Sequence, residues 1–124
     1  QDVDVQFGRV RSYGDATRPQ HAPEVLLPDD VDFTGRHVLV VEDIVDTGRS
    51  ITALQRALAA RGAASIRICA FLDKPARREV PVEVEFLGFT LEGSPFVVGY
   101  GLDHAGRYRN LPFVGTLRSD LIPE

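Results

Sequence analysis

The chain has 124 residues, with 14 Lys+Arg against 18 Asp+Glu, a formal net charge of −4 and 44% hydrophobic residues. This length holds one domain, the apolar share excludes wholesale disorder, and the mild acidic balance argues against nucleic-acid binding as the main activity. No apolar run approaches the roughly 20 residues of a membrane helix, no secretory leader is legible at the start, and the lone Cys69 excludes a disulfide framework or Cys-based zinc site within one chain, so a cytoplasmic protein with no membrane partner is expected.

Residues 2–13 alternate apolar and polar side chains (Val3, Val5, Phe7, Val10), which predicts a half-buried strand. Residues 14–36 carry Pro19, Pro23, Pro28, Gly14 and Gly35 and predict a long connection with a short extended piece at Val25–Leu27. Connections beyond about 12–15 residues are usually functional or disordered, so residues 14–30 are a candidate lid. His37–Val41 is a short β-branched run that predicts a strand buried on both faces. Residues 50–61 place Ile51, Leu54 and Leu58 on one helical stripe, and Gly62 supplies the stop. Ser65–Leu72, Val82–Phe89, Pro95–Tyr100 and Pro112–Leu117 read as further strands.

A strand buried on both faces requires more covering helices than this pattern contains, so an incomplete α/β unit, or one completed by another polypeptide, is expected. Met is absent and the strand pattern starts at once, which leads us to expect a fragment or processed product beginning in mid-fold.

The chemistry concentrates in Val38–Ser50. A buried strand delivers Glu42 and Asp43 at its carboxyl end, where open α/β sheets bind ligands. The Thr47-Gly48-Arg49-Ser50 turn then opens a helix whose first amides lack internal partners and carry partial positive charge. That is a phosphate cradle without a Walker lysine, and the carboxylates beside it suit sugar hydroxyls or a divalent cation. A generic Thr-Gly turn before a helix would be no more than a cap. The full string, with its acids, carries more.

Val40-Val-Glu-Asp-Ile-Val-Asp-Thr-Gly48 resembles the phosphoribosyl-pyrophosphate motif of type I phosphoribosyltransferases, and the third acid, Asp46, resembles their hypoxanthine-guanine branch. Ser12-Tyr13 is similar to the pair that opens the family's lid, and Phe96–Asp103 with Arg109 resembles its purine clamp. The resemblance spans residues 2–117 and implies the type I fold, an α/β fold with a mostly parallel sheet flanked by helices. That fold is expected here in part, with residues 1–124 as the C-terminal part of one phosphoribosyltransferase domain.

The implied activity is purine salvage from phosphoribosyl pyrophosphate and a 6-oxopurine base, giving a purine nucleoside monophosphate, with Mg²⁺ as cofactor and a homo-oligomer as the assembly. The resemblance implies Glu42, Asp43, Asp46, Thr47, Gly48, Arg49 and Ser50 as phosphoribosyl-binding residues, with Asp46 catalytic as the general acid/base at the base N7. It implies Lys74, Phe96, Val97 and Asp103 as purine-binding residues and Arg109 as a pyrophosphate contact. Glu42, Asp43 and Asp103 are the implied metal ligands. In this family the lysine at the Lys74 position donates to the purine O6, which separates 6-oxo from 6-amino bases.

Two departures from the family pattern stand out: its N-terminal helices and pyrophosphate loop are not expected within residues 1–124, and Arg18, Pro19 and Pro23 stand where the family has small hydroxylated and glycine residues, so a stiffer lid is expected. A nucleotide-binding module without catalysis and a xanthine-preferring transferase are the alternative readings. His21, His37 and His104 are expected in surface or loop roles, Cys69 as a small buried residue, and Arg77-Arg78 as solvated loop residues.

Overall fold

The computed structural model describes residues 2–11 and 23–122. Ser12, Tyr13 and the first part of the expected lid lie outside the described residues. In chain order the elements are β1 (Arg9–Arg11), β2 (Glu24–Leu26), β3 (His37–Val45), α1 (Arg49–Ala60), β4 (Ser65–Asp73), β5 (Phe86–Thr90), β6 (Val97–Val98) and β7 (Gly115–Thr116), with short 3₁₀ turns at Pro75–Arg77 and Ser119–Leu121.

The centre is a parallel three-stranded sheet in the order β3-β4-β5, in which α1 forms the crossover from β3 to β4. Ile51, Leu54 and Leu58 of α1 are buried against Val40 and Val45 of β3 and Ile68 and Ala70 of β4, with Phe33 closing the cluster. Burial of each large aliphatic side chain stabilises by about 1.5–3 kcal/mol. The helix ends where expected: Gly62 has a φ of 86°, and the amides of Gly62 and Ala63 bond back to the carbonyls of Ala59 (3.0 Å) and Leu58 (3.2 Å). Arg61 then reaches under the loop before β3, donating to the carbonyls of Pro28 (2.8 Å) and Val31 (2.7 Å) and lying 4.9 Å from the Phe33 ring centroid.

Four sequence expectations need correction. Strand pairing in residues 2–11 is confined to Arg9–Arg11, antiparallel to Glu24–Leu26, while Val3, Val5 and Phe7 are exposed, Phe7 at 87%. Their alternation meets no partner strand among the described residues. The Val82–Phe89 strand is displaced: pairing begins at Phe86 and runs to Thr90. Val82 and Val84 still pack against the core, but the Glu85 carboxylate accepts the Ile68 amide (2.6 Å), taking the place of a strand carbonyl. The strands expected at Pro95–Tyr100 and Pro112–Leu117 shrink to the pair β6–β7, ended by positive φ at Gly99 (100°) and Tyr100 (51°). Finally, β3 is not buried on both faces.

Helix α1 covers one face only. On the other, Leu39 and Val41 alternate with buried Val40, and Val41 is 73% exposed. The register sets Val41 beside Cys69 and Cys69 beside Phe86, so one apolar strip crosses all three strands. Among the described residues no helix covers this face. Cys69 lies on it as a free, half-buried thiol rather than a buried one.

Candidate active site

The three parallel strands end together. Val45 pairs with Asp73 and Asp73 with Thr90, so the residues that follow emerge along one edge. Neighbouring strands lie about 4.8 Å apart, which makes Asp46 and Lys74 lateral neighbours. A hydrogen bond from the Lys74 amide to the Val45 carbonyl (2.9 Å) fixes that relation. Lys74 is 9% exposed, and its ammonium has no hydrogen-bond or ion-pair partner among the described residues. Its aliphatic stem is what is buried, while the ammonium is not among the buried polar atoms and stays free to donate to an acceptor that a ligand brings.

The turn between β3 and α1 leaves the helix start without a side-chain cap. Gly48 occupies the N-cap with a φ of 87°, offers no side-chain cap, and the first turn of α1 contains no acid. The Arg49 amide bonds to Thr47 Oγ1 (3.3 Å), which leaves the threonine proton free to donate, and Ser50 is exposed at the mouth of the helix. Glycine is required at position 48 on two counts. Its backbone is left-handed, and a Cβ there would lie 2.5 Å from the Val80 carbonyl oxygen and 2.9 Å from Val82 Cγ2.

Glu42 and Asp43 lie inside β3, not at its end as expected, because pairing with β4 continues through Ile44 to Val45. Asp43 is exposed and its Oδ1 accepts the Ile44 amide (2.7 Å). Glu42 is half-buried; burial, then repulsion from Asp43, pushes its carboxyl above the ordinary glutamate range. Between the unfolded and the raised folded value, the folded state holds the extra proton, so this group's contribution to stability falls as pH rises through that window. Glu42→Gln is accordingly expected to raise the melting temperature at pH 7 by a few degrees at most, with the gain vanishing near pH 4. Parallel calorimetric melts at the two pH values check it.

The same strain is a fit test for a divalent cation. Two adjacent carboxylates that repel each other present hard oxygen ligands, and a cation would relieve both the burial and the repulsion. Asp103 does not join them, since no group of three or more His, Cys, Asp or Glu side chains suited to a metal forms among the described residues.

The clamp segment is ordered from within. Asp103 Oδ2 accepts the Gly106 amide (2.8 Å), and its Oδ1 pairs with Arg109 (3.1 Å), which also donates to the Gly101 carbonyl (2.6 Å). Asp103 and Arg109 are thus brought together, with further guanidinium donors left on Arg109. Phe96 meets the edge of His104 at 5.2 Å between ring centroids and 87° between planes. Val97 and Val98 are buried in the β6–β7 pair. Tyr100 and Phe71 (6.5 Å between centroids) seat the clamp against the sheet, across an apolar cavity of about 760 Å³ that Leu72, Phe89, Thr90, Leu91 and Val114 complete.

The sequence reading missed the arginines. Arg77 and Arg78, expected to be solvated, are both engaged: Arg77 Nε bonds to Asp46 Oδ1 (2.6 Å), and Arg78 forms a largely buried ion pair with Asp73. Arg49 of the turn before α1 pairs with Glu79 (2.5 Å). The doublet of arginines soon after a strand end was the available signal, but its partners are supplied by the fold.

The chain matches the phosphoribosyl transferase domain over residues 2–105. It is 46% identical over 112 residues to a hypoxanthine phosphoribosyltransferase of Salmonella typhimurium, covering 90% of this chain and 62% of that protein. A bifunctional TilS/HprT protein of Listeria monocytogenes is 40% identical over 122 residues, covering 98% of this chain and 19% of that one. Among solved structures, a hypoxanthine-guanine phosphoribosyltransferase of Bacillus anthracis superposes with a TM-score of 0.83 at 38% identity, covering 94% of this chain and 68% of that one. The chain thus spans about 62% of the length of the first curated relatives. A parallel sheet with paired acids near the end of β3, an uncapped helix start and a buried lysine, together with these likenesses, make the chain a member of the phosphoribosyltransferase family with the type I fold.

Proposed function

We propose that the protein carrying this chain is a purine salvage transferase that moves the phosphoribosyl group of phosphoribosyl pyrophosphate to hypoxanthine or guanine, giving IMP or GMP and pyrophosphate. The observation that carries this reading is the buried, unpartnered Lys74 beside Asp46, at the strand edge that also opens the anion turn. An ammonium donates and cannot accept, so it favours a purine with O6 over one with an amino group there.

In this reading the start of α1, with Thr47, Gly48, Arg49 and Ser50, holds the 5′-phosphate. Glu42 and Asp43 take the ribose hydroxyls and would hold Mg²⁺, which supplies charge neutralisation for the departing pyrophosphate. Phe96 stacks on the purine, the Val97 backbone reads the far edge of the base, and Asp103 supports that pocket through Arg109. Arg109 turns its free donors to the pyrophosphate. As the bond from purine N9 to C1 forms and the bond from C1 to the pyrophosphate oxygen breaks, Asp46 takes the proton released at N7. The free thiol of Cys69 suits a reducing cytoplasm, and likeness to the family supports a homo-oligomer.

Calorimetric titration of IMP against AMP tests the substrate class. IMP is expected to bind at least about tenfold more tightly, a difference of about 1.4 kcal/mol, and Lys74→Met is expected to erase the preference. Equal affinity of the unaltered protein for the two nucleotides would contradict the assignment of Lys74.

A further inference from the structure

One short segment joins the two halves of the site. Residues 75–80 run from Lys74, the base-reading position, back across the anion turn. The amides of Glu79 and Val80 both donate to the Thr47 carbonyl (2.9 and 3.1 Å). The Val80 carbonyl occupies the space a side chain at position 48 would need. Two ion pairs cross the same seam with opposite polarity: Arg77 on Asp46 (2.6 Å) and Glu79 on Arg49 (2.5 Å). Sliding the segment along the turn would set like charges against each other, so the pairs fix its register.

We propose that Arg77 is a positioning residue for the transfer reaction: its guanidinium holds Asp46 by Oδ1 and so orients Oδ2 for the purine N7 proton. The inference rests on the proposed function. Oδ2 has no partner among the described residues, which leaves it for the ligand. Both members of the pair are about half exposed, and exposed pairs contribute little to folding stability. Their consequence lies in placement, because a reacting group displaced by a fraction of an ångström loses rate steeply. Arg77 touches Asp46 and need not touch substrate.

Steady-state kinetics of the complete protein, with Arg77→Gln and Arg77→Lys beside it, provide the test. Arg77→Gln is expected to lower kcat for IMP formation about tenfold, with KM for phosphoribosyl pyrophosphate changed less than about twofold and the melting temperature nearly unchanged. Arg77→Lys, which restores the positive charge, is expected to recover part of kcat. An unaltered kcat in Arg77→Gln overturns the inference, and so does a loss accompanied by a large drop in melting temperature and no recovery in Arg77→Lys. Unaltered protein that turns over no 6-oxopurine overturns the proposed function and this inference with it, whereas active protein indifferent to Arg77→Gln overturns the inference alone.

Discussion

Gly48→Ala is expected to lower stability by about 2–5 kcal/mol and to reduce phosphoribosyl transfer at least tenfold. Two costs add: a left-handed backbone with a Cβ costs about 1–2 kcal/mol, and forcing a methyl into filled space about 1–3 kcal/mol more. The filled space is specific, since the Val80 carbonyl at 2.5 Å is backbone and is itself held by the Glu79 and Val80 amides on Thr47. Relief would have to come from the anion turn, whose displacement spoils the phosphate site. Gly35→Ala serves as the control. Its φ of 71° carries the same conformational cost, but nothing lies within 4 Å of the added carbon, so about 1 kcal/mol is expected. Thermal melts of the two variants separate strain from collision, and equal losses would contradict the steric account.

Asp46→Asn is expected to lower kcat by about 10²–10⁴-fold while the affinity for IMP stays within a few fold. The amide keeps the shape of the carboxylate but cannot accept the N7 proton, and it loses the charge that pairs with Arg77. Binding is expected to survive because the proposed reading gives the phosphate to the start of α1 and the base to Lys74, Phe96 and Val97. Transfer kinetics beside an IMP titration show the split. Parallel losses in both would instead give Asp46 a purely structural role.

The sequence made the centre of the fold legible because that part is encoded locally. The β3 run, the Ile51-Leu54-Leu58 stripe and the Gly62 stop each state their own structure, and α1 begins within one residue of its expected start. What failed were features decided by partners far along the chain. Val3, Val5 and Phe7 alternate as a strand should, yet pairing needs a neighbour, and only Arg9–Arg11 finds one among the described residues. Val82 and Val84 alternate as well, but Glu85 bonding to the Ile68 amide delays pairing to Phe86.

The candidate site divides in the same way. Glu42 through Ser50 is one continuous string, so its placement at a strand end and a helix start follows directly from the pattern. Lys74 is singled out by its place after a strand and by the resemblance, and the register of Val45 with Asp73 sets it beside Asp46, whereas Arg77 becomes informative only through an ion pair 31 residues back along the chain. Charged residues in a loop look alike in sequence whether they are solvated or paired. Among the described residues no helix covers the second face of β3, although the β3 run pointed to a strand covered on both sides.

The central claim is the joining of a phosphoribosyl group to a 6-oxopurine at the edge formed by β3 and β4. It is tested most directly by chromatographic measurement of nucleotides formed by the complete protein from phosphoribosyl pyrophosphate and Mg²⁺, with hypoxanthine, guanine, xanthine and adenine supplied separately. The account predicts IMP and GMP, formed at least about 100-fold faster than AMP, in keeping with a site whose Lys74 donor finds no acceptor in a 6-amino group. AMP formed as fast as IMP, or no nucleotide from either hypoxanthine or guanine, would contradict it.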